Sequence, residues 1–364
     1  MFCSVNATGC GVQIRPGPIA DPMPWPAYLG SPRHDISAAE SLRAEPQVLW
    51  TTPAGRAVRG SPAIGSHVIA VGVPDRMLVL VDRASGDVFW RARLSGTVHG
   101  GPLLAGDKLF VATEETPEGR VYAVNLRDGK ILWRRRSGSV VAPLASDSFA
   151  LYAGLERGSV WALDPKTGEL KWRRPLPGAV RAGPVPTPHG IVVATTADSL
   201  YLLDRATGGI IRSRGTRGTV LGTPATDGNW LYMGTTAGWV IATSLPDLET
   251  VWDVAMPDQV LGAPALVNDT VYALSRDGTL ARIPATEPTQ AQQVGLGTVS
   301  IAGPTPTKAG VLVGTVAGEV LLVDPATGAV RWRARVDGPV EQPPLVRDGV
   351  LVVVGGRGDI HTYR

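Results

Sequence analysis

Three residues before each of eight regularly spaced prolines the chain carries Arg59, His99, Val140, Arg181, Leu221, Leu261, Ile301 and Glu341. The flanks of this position repeat, but its chemistry does not. If the repeats close into a ring, Glu341, Arg59 and His99 become polar neighbours, and Leu221, Leu261 and Ile301 become apolar ones. Such a set can pair charges, donate hydrogen bonds and bury aliphatic surface, which is the chemistry of recognition. Variation laid on a constant scaffold describes a binding surface; the same series would also serve as the ordinary lining of a plugged channel.

Side chains that make or break bonds are scarce. The histidines His34, His67, His99, His189 and His361 lie at no metal-ligand spacing, and no His-Glu-x-x-His pattern occurs. They read as satisfied or surface histidines. No nucleophile elbow, phosphate-binding loop or dinucleotide fingerprint stands in its required strand–turn–helix setting. Both cysteines, Cys3 and Cys10, precede the repeats, so the repeats hold no disulfide, thiolate-bound zinc or cysteine nucleophile. Asp82/Gly86, Asn125/Gly129, Asp164/Gly168, Asp204/Gly208 and Asp324/Gly328 recur at one spacing. Each offers at most one carboxylate, whereas calcium takes about six to eight oxygen ligands. They are turn formers: the acid or amide accepts backbone N–H bonds, and glycine supplies the positive φ.

The elements that position these residues follow from the period. Pro62, Pro102, Pro143, Pro184, Pro224, Pro264, Pro304 and Pro344 are 40 or 41 residues apart. Trp50, Trp90, Trp133, Trp172, Trp252 and Trp332 keep step, 12 residues ahead of a proline except for Trp133, which is 10 ahead. Between them run alternating strand-like segments such as Phe149–Gly154, Ser159–Leu163 and Glu169–Trp172. The pattern predicts an all-β, eight-bladed β-propeller of four-stranded antiparallel blades. The last repeat stops at Arg364 without its tryptophan-bearing strand, and Gln47–Trp50 has a tryptophan without a blade. Pairing the two would complete blade eight and close the ring. Residues 47–364 are thus read as the propeller. Residues 1–46 are read as an extended, proline-rich strap, with one or two helical turns over Ile36–Leu42. The periodic tryptophans are expected to lock each blade to the next, more weakly in blades four and six, where Arg212 and Gln292 stand instead. A net charge of +3 over 364 residues gives no nucleic-acid footprint, and no run of about 18 apolar residues could span a membrane as a helix.

The phrase Leu163-Asp-Pro-Lys-Thr-Gly-Glu-Leu-Lys-Trp172 resembles the repeat of the pyrroloquinoline-quinone-like propeller superfamily. The resemblance covers residues 47–364 and implies one of two branches. Quinoprotein dehydrogenases use the quinone with calcium, and many stack it beneath a disulfide of adjacent cysteines, which this propeller lacks. The BamB-type lipoproteins have no cofactor and no enzymatic activity, and they serve outer-membrane β-barrel assembly by docking on the BamA subunit. Length, repeat number and the ending Asp348–Arg364 resemble this second branch, which implies a protein partner. In that family the docking loop follows the fourth tryptophan. Here it is Pro177–Pro184, which keeps Arg181, preceded by Val180, but lacks the family's leucines. The next inter-blade loop, residues 215–224, lacks its acidic pair. The expected partner-binding set is Arg181, Val180, Leu221, Leu261, Ile301, Glu341, Arg59 and His99. Ala7-Thr-Gly-Cys10 resembles a lipobox, making Cys10 the expected lipid-attachment residue of a monomer at the periplasmic side of an outer membrane. A quinone-dependent dehydrogenase is the alternative.

Overall fold

The computed structural model describes residues 15–22, 24–43, 45–115 and 117–364; Cys10 lies outside them. Eight four-stranded antiparallel sheets follow one another around a ring. Each blade runs from the axis outward. Its innermost strand is two or three residues long, as in Ala63–Ile64 or Leu103–Ala105. The second and third strands, such as Leu151–Leu155 and Ser159–Leu163, are buried on both faces. The outermost strands are mostly exposed, as in Ile131–Arg136. The core is therefore a set of layers between blades, each built from the aliphatic faces of two neighbouring sheets.

The ring closes as the sequence predicts. Val48–Pro53 pairs with Asp359–Tyr363, with Trp50 opposite Thr362 and Thr51 opposite His361. Gln47 and Arg364 exchange backbone hydrogen bonds at 3.0 and 2.9 Å.

The tryptophans lie between blades. The Trp172 indole N–H donates to the Arg205 carbonyl at 2.8 Å, in the outer turn of blade four. Its ring lies on Gly208 of that turn: a Cβ there would fall 2.6 Å from the ring. Trp50, Trp90, Trp133 and Trp252 make equivalent bonds to Arg83, Leu126, Pro165 and Ala285. Blade four breaks the pattern in two places together. Arg212 stands where tryptophan would, and the turn it should cover carries Leu248 in place of glycine. Leu248 is fully buried, at φ +58°. An aliphatic side chain thus fills the layer that lacks the indole.

The strap crosses the face opposite the inter-blade loops. It enters at the outer boundary of blades one and two, where the Gly17 N–H donates to the Arg127 carbonyl at 2.7 Å. Asp21 then accepts the backbone N–H groups of Ser66 and His67, and Trp25 pairs with Leu104. The channel-facing N–H at the second position of an innermost strand would otherwise be orphaned. Strap carbonyls of Trp25, Pro26, Pro32 and Arg33 accept it from Leu104, Ser146, Thr226 and Leu266, and the Ser37 hydroxyl accepts it from Val346. In blades four and seven the position is Pro186 or Pro306, which has no N–H to satisfy. Residues 36–39 form turns and no helix. Ser37 is spent on blade eight, and the Glu40 carbonyl and carboxylate accept from Lys308 and Gly349 of blades seven and eight. A single 3-10 turn forms at Tyr28–Gly30.

Candidate binding site at the channel mouth

Each inter-blade loop begins with a small buried residue that anchors it. Val58, Val98, Val140, Val180, Val220, Val260, Ser300 and Val340 are at most 3% exposed. Val180 packs against Gly154 so closely that a Cβ there would lie 2.3 Å from its Cγ1. Val180 therefore cannot touch a partner and leaves the expected binding set: it is the foot of the loop, not its tip.

The tip is the next residue. Strand register makes the ring of tips Arg59, His99, Val141, Arg181, Leu221, Leu261, Ile301 and Glu341. Val141 replaces the expected Val140. In blade three Ala145 pairs with Tyr152 as Leu103 pairs with Phe110, so Pro143 sits one place earlier in its loop than the other prolines. Counting back from proline lands there on the buried foot; counting from the foot would have found Val141.

Seven of the eight tips line one cavity of about 320 Å³ at the mouth, all but Arg181. Leu221, Leu261 and Ile301 form its apolar side. Val299 and Val316, 46% and 43% exposed and joined by a 2.9 Å backbone bond, extend that side outward. Glu341, Arg59 and His99 form the polar side. His99 Nε2 lies 2.8 Å from Glu114. Partial burial holds its pKa below the usual histidine value; Glu114 pushes it back up and Arg59 pushes it down. Arg181 points away from the cavity, its Nε 3.0 Å and Nη2 3.3 Å from the two carboxylate oxygens of Glu156. That two-point pair holds the guanidinium at a fixed angle on the lip.

Two residues that the sequence reading missed complete the cavity. The position after each tip is Gly or Ala in seven blades and Gln342 in the eighth, and that departure from the repeat is the signal that could have singled it out. Gln342 donates to the Arg59 carbonyl at 2.6 Å and accepts from the Tyr28 hydroxyl at 3.3 Å. Tyr28 rises from the strap and forms the floor. Burial pushes its phenol well above the ordinary tyrosine pKa. Its lone place outside the repeats gave the sequence no means of locating it.

The quinone and calcium of the superfamily's dehydrogenases would need a convergent carboxylate and amide set at this mouth. Among the described residues no three His, Cys, Asp or Glu side chains converge to hold a metal. The cavity is floored by Tyr28 and Gln342 and collared by glycines and alanines, and among the described residues Glu341 is the one carboxylate that lines it. The residues present do not suit the quinone–calcium pair, and no reaction is derived through it.

The assembly factor BamB of Pseudomonas aeruginosa is 26% identical over 199 residues, 51% of each chain. The chain spans about half the length of the curated relatives it matches. The crystal structure of BamB from Moraxella catarrhalis superposes with a TM-score of 0.74 at 15% identity, covering 88% of this chain and 99% of that one. A quinohaemoprotein alcohol dehydrogenase from Pseudomonas putida gives 0.75 at 12%, covering 94% and 80%. At such identities these two likenesses describe the fold. The profile described as outer membrane protein assembly factor BamB matches residues 40–185, 197–293 and 285–363. With that profile matched along most of its eight-bladed ring, the chain belongs to that family.

Proposed function

We propose that the protein is a non-enzymatic scaffold in the assembly of outer-membrane β-barrel proteins, and that it holds a protein partner at the channel mouth. The observation that carries this reading is the convergence of seven chemically diverse loop tips on one cavity, over a scaffold that is otherwise repetitive. An apolar side chain of the partner enters against Leu221, Leu261 and Ile301. Charged groups of the partner meet Glu341, Arg59 and His99 on the other side. Arg181, pre-oriented by Glu156, contributes a planar multi-donor head at the lip, a residue type favoured where binding energy concentrates. The partner is a BamA-type assembly subunit. The protein acts as a monomer at the periplasmic side of the outer membrane, tethered through an acylated Cys10.

The test is capture of the soluble part of a BamA-type subunit by the wild type and by Leu221→Asp, Leu261→Asp and Arg181→Glu variants with unchanged melting profiles. Loss of capture of at least tenfold in the two leucine variants is expected, since each buries a charge in an apolar contact. Wild-type capture by all three folded variants would move the binding face elsewhere. Dye-linked alcohol oxidation on adding quinone and calcium would overturn the scaffold reading altogether.

A further inference from the structure

The outer edges of the blades differ in charge. The outermost strands of blades one to four, Val88–Arg93, Ile131–Arg136, Leu170–Pro175 and Ile210–Gly215, carry ten Arg or Lys and no Asp or Glu. Those of blades five, six and eight, Thr250–Ala255, Gln292–Gly295 and Val48–Pro53, carry no cation; that of blade seven, Val330–Arg335, stands apart with three Arg, of which Arg331 and Arg333 pair with Asp324 and Glu319. Cations on an exposed strand edge guard against pairing with other chains. Guarding alone would place them on every outer edge, and three edges lack them.

Blade two is the centre of the basic arc. The side chains of Arg134 and Arg135 make no ion pair or hydrogen bond among the described residues, and neither does that of Arg93 on the neighbouring edge of blade one. Beside them Ile131 and Leu132 are 39% and 47% exposed. Unpaired cations next to exposed aliphatics suit the boundary between lipid headgroups and acyl chains, where the aliphatics are partly buried and the cations meet phosphate.

A separate observation points to the same place. Arg15 pairs with Asp87 at 2.8 Å and lies over the Phe89 ring at 5.9 Å, and Gly17 is bonded to Arg127. Residues 15–17 therefore lie at the outer boundary of blades one and two, beside the basic edge.

We propose that the outer edge of blade two, flanked by the edges of blades one and three, is a docking surface for an anionic phospholipid bilayer. A flat sheet touching the rim of a disc meets only neighbouring blades, and the neighbouring blades one to four carry ten of the thirteen Arg and Lys on the outermost strands. The surface is distinct from the channel mouth and does not depend on acylation of Cys10.

The test is co-sedimentation of the full chain, carrying Cys10→Ser so that no acyl chain contributes. The vesicles are phosphatidylcholine alone, or phosphatidylcholine with about one-third phosphatidylglycerol. Binding to the anionic vesicles at low salt and its loss at high salt are expected. Each arginine near such a surface is worth roughly fivefold, so Arg134→Gln/Arg135→Gln should weaken binding roughly twenty-five-fold. Arg134→Lys/Arg135→Lys should retain it, because charge and not guanidinium geometry is needed. Arg333→Gln/Arg335→Gln, in blade seven on another part of the rim, should leave it unchanged. No binding at low salt, equal binding to neutral vesicles, or an equal loss in the blade-seven variant would each overturn the proposal.

Discussion

The paired exception in blade four gives the sharpest test of how the blades are joined. Trp172 is buried and hydrogen-bonded across the blade boundary. Trp172→Ala should cost about 3–5 kcal/mol, the range for deleting a large buried aromatic. Arg212→Ala, at the matching position, removes a mostly exposed side chain whose partner Asp247 is 3.9 Å away, and should cost about 0–1 kcal/mol. The more discriminating experiment restores the missing lock. Arg212→Trp alone drives an indole into the layer filled by Leu248, an overpacking cost of about 1–3 kcal/mol. Leu248→Gly alone deletes a fully buried aliphatic, about 2–5 kcal/mol, offset by about 1–2 kcal/mol from relieving a left-handed backbone. Made together, the two changes rebuild the arrangement of Trp172 on Gly208. The double variant should be more stable than the sum of the single losses by at least about 2 kcal/mol, a coupling typical of residues in direct contact. Denaturant midpoints of the four proteins, compared at a common slope, measure it. Losses that add to within about 0.5 kcal/mol would show that Leu248 does not occupy the tryptophan's place.

Removing residues 1–52 takes away the outermost strand of blade eight and the strap, and should abolish the cooperative transition; an unchanged melting profile would refute ring closure through Val48–Pro53. His34 is buried, its Nδ1–H donating to the Pro264 carbonyl at 2.8 Å, and burial lowers its pKa from 6.5 to about 4. The unfolded chain then binds the extra proton between those values, so stability should fall as pH drops from about 6.5 towards about 4. Titrating the melting temperature should show a shallower acid loss in His34→Gln than in wild type, and parallel curves would refute the assignment.

What was legible in the sequence is what repeats locally. Proline, tryptophan and the acid-to-glycine turns each report a neighbour within one period, so blade number, strand order and closure could be read directly. The tips could be read too, because variation shows against a constant background. The reading failed where a residue's meaning depends on a register that two small changes had shifted. The loop from Trp133 to Val140 is one residue shorter than its counterparts and Pro143 comes one place early, so counting from proline picked a buried valine. It also failed where contacts join distant residues outside the repeat. Tyr28, which carries no periodic mark, meets Gln342 across 314 positions. Ile36–Leu42 reads as helical by composition, but Ser37 and Glu40 hold blades seven and eight instead, a tertiary override of a weak local preference.

Each blade has two edges, and the structure treats them differently. Seven of the eight inner edges are silenced: five N–H groups are capped by the strap, and two positions carry proline. Tyr28 reaches from the same strap to the floor of the cavity at the mouth. The outer edges are left open and are guarded by charge in some blades only. A repeat scaffold would make all eight edges and all eight tips alike if stability were its sole constraint. The residues that depart from the repeat, namely the tips, Gln342 and the cations of blades one to four, break that symmetry on one face and one side of the rim. Side chains there contribute little to the core, so they were free to diverge without cost to the fold. That is why the mouth and the edge of blade two, rather than the conserved-looking tryptophan layers, are the surfaces on which partners should be sought.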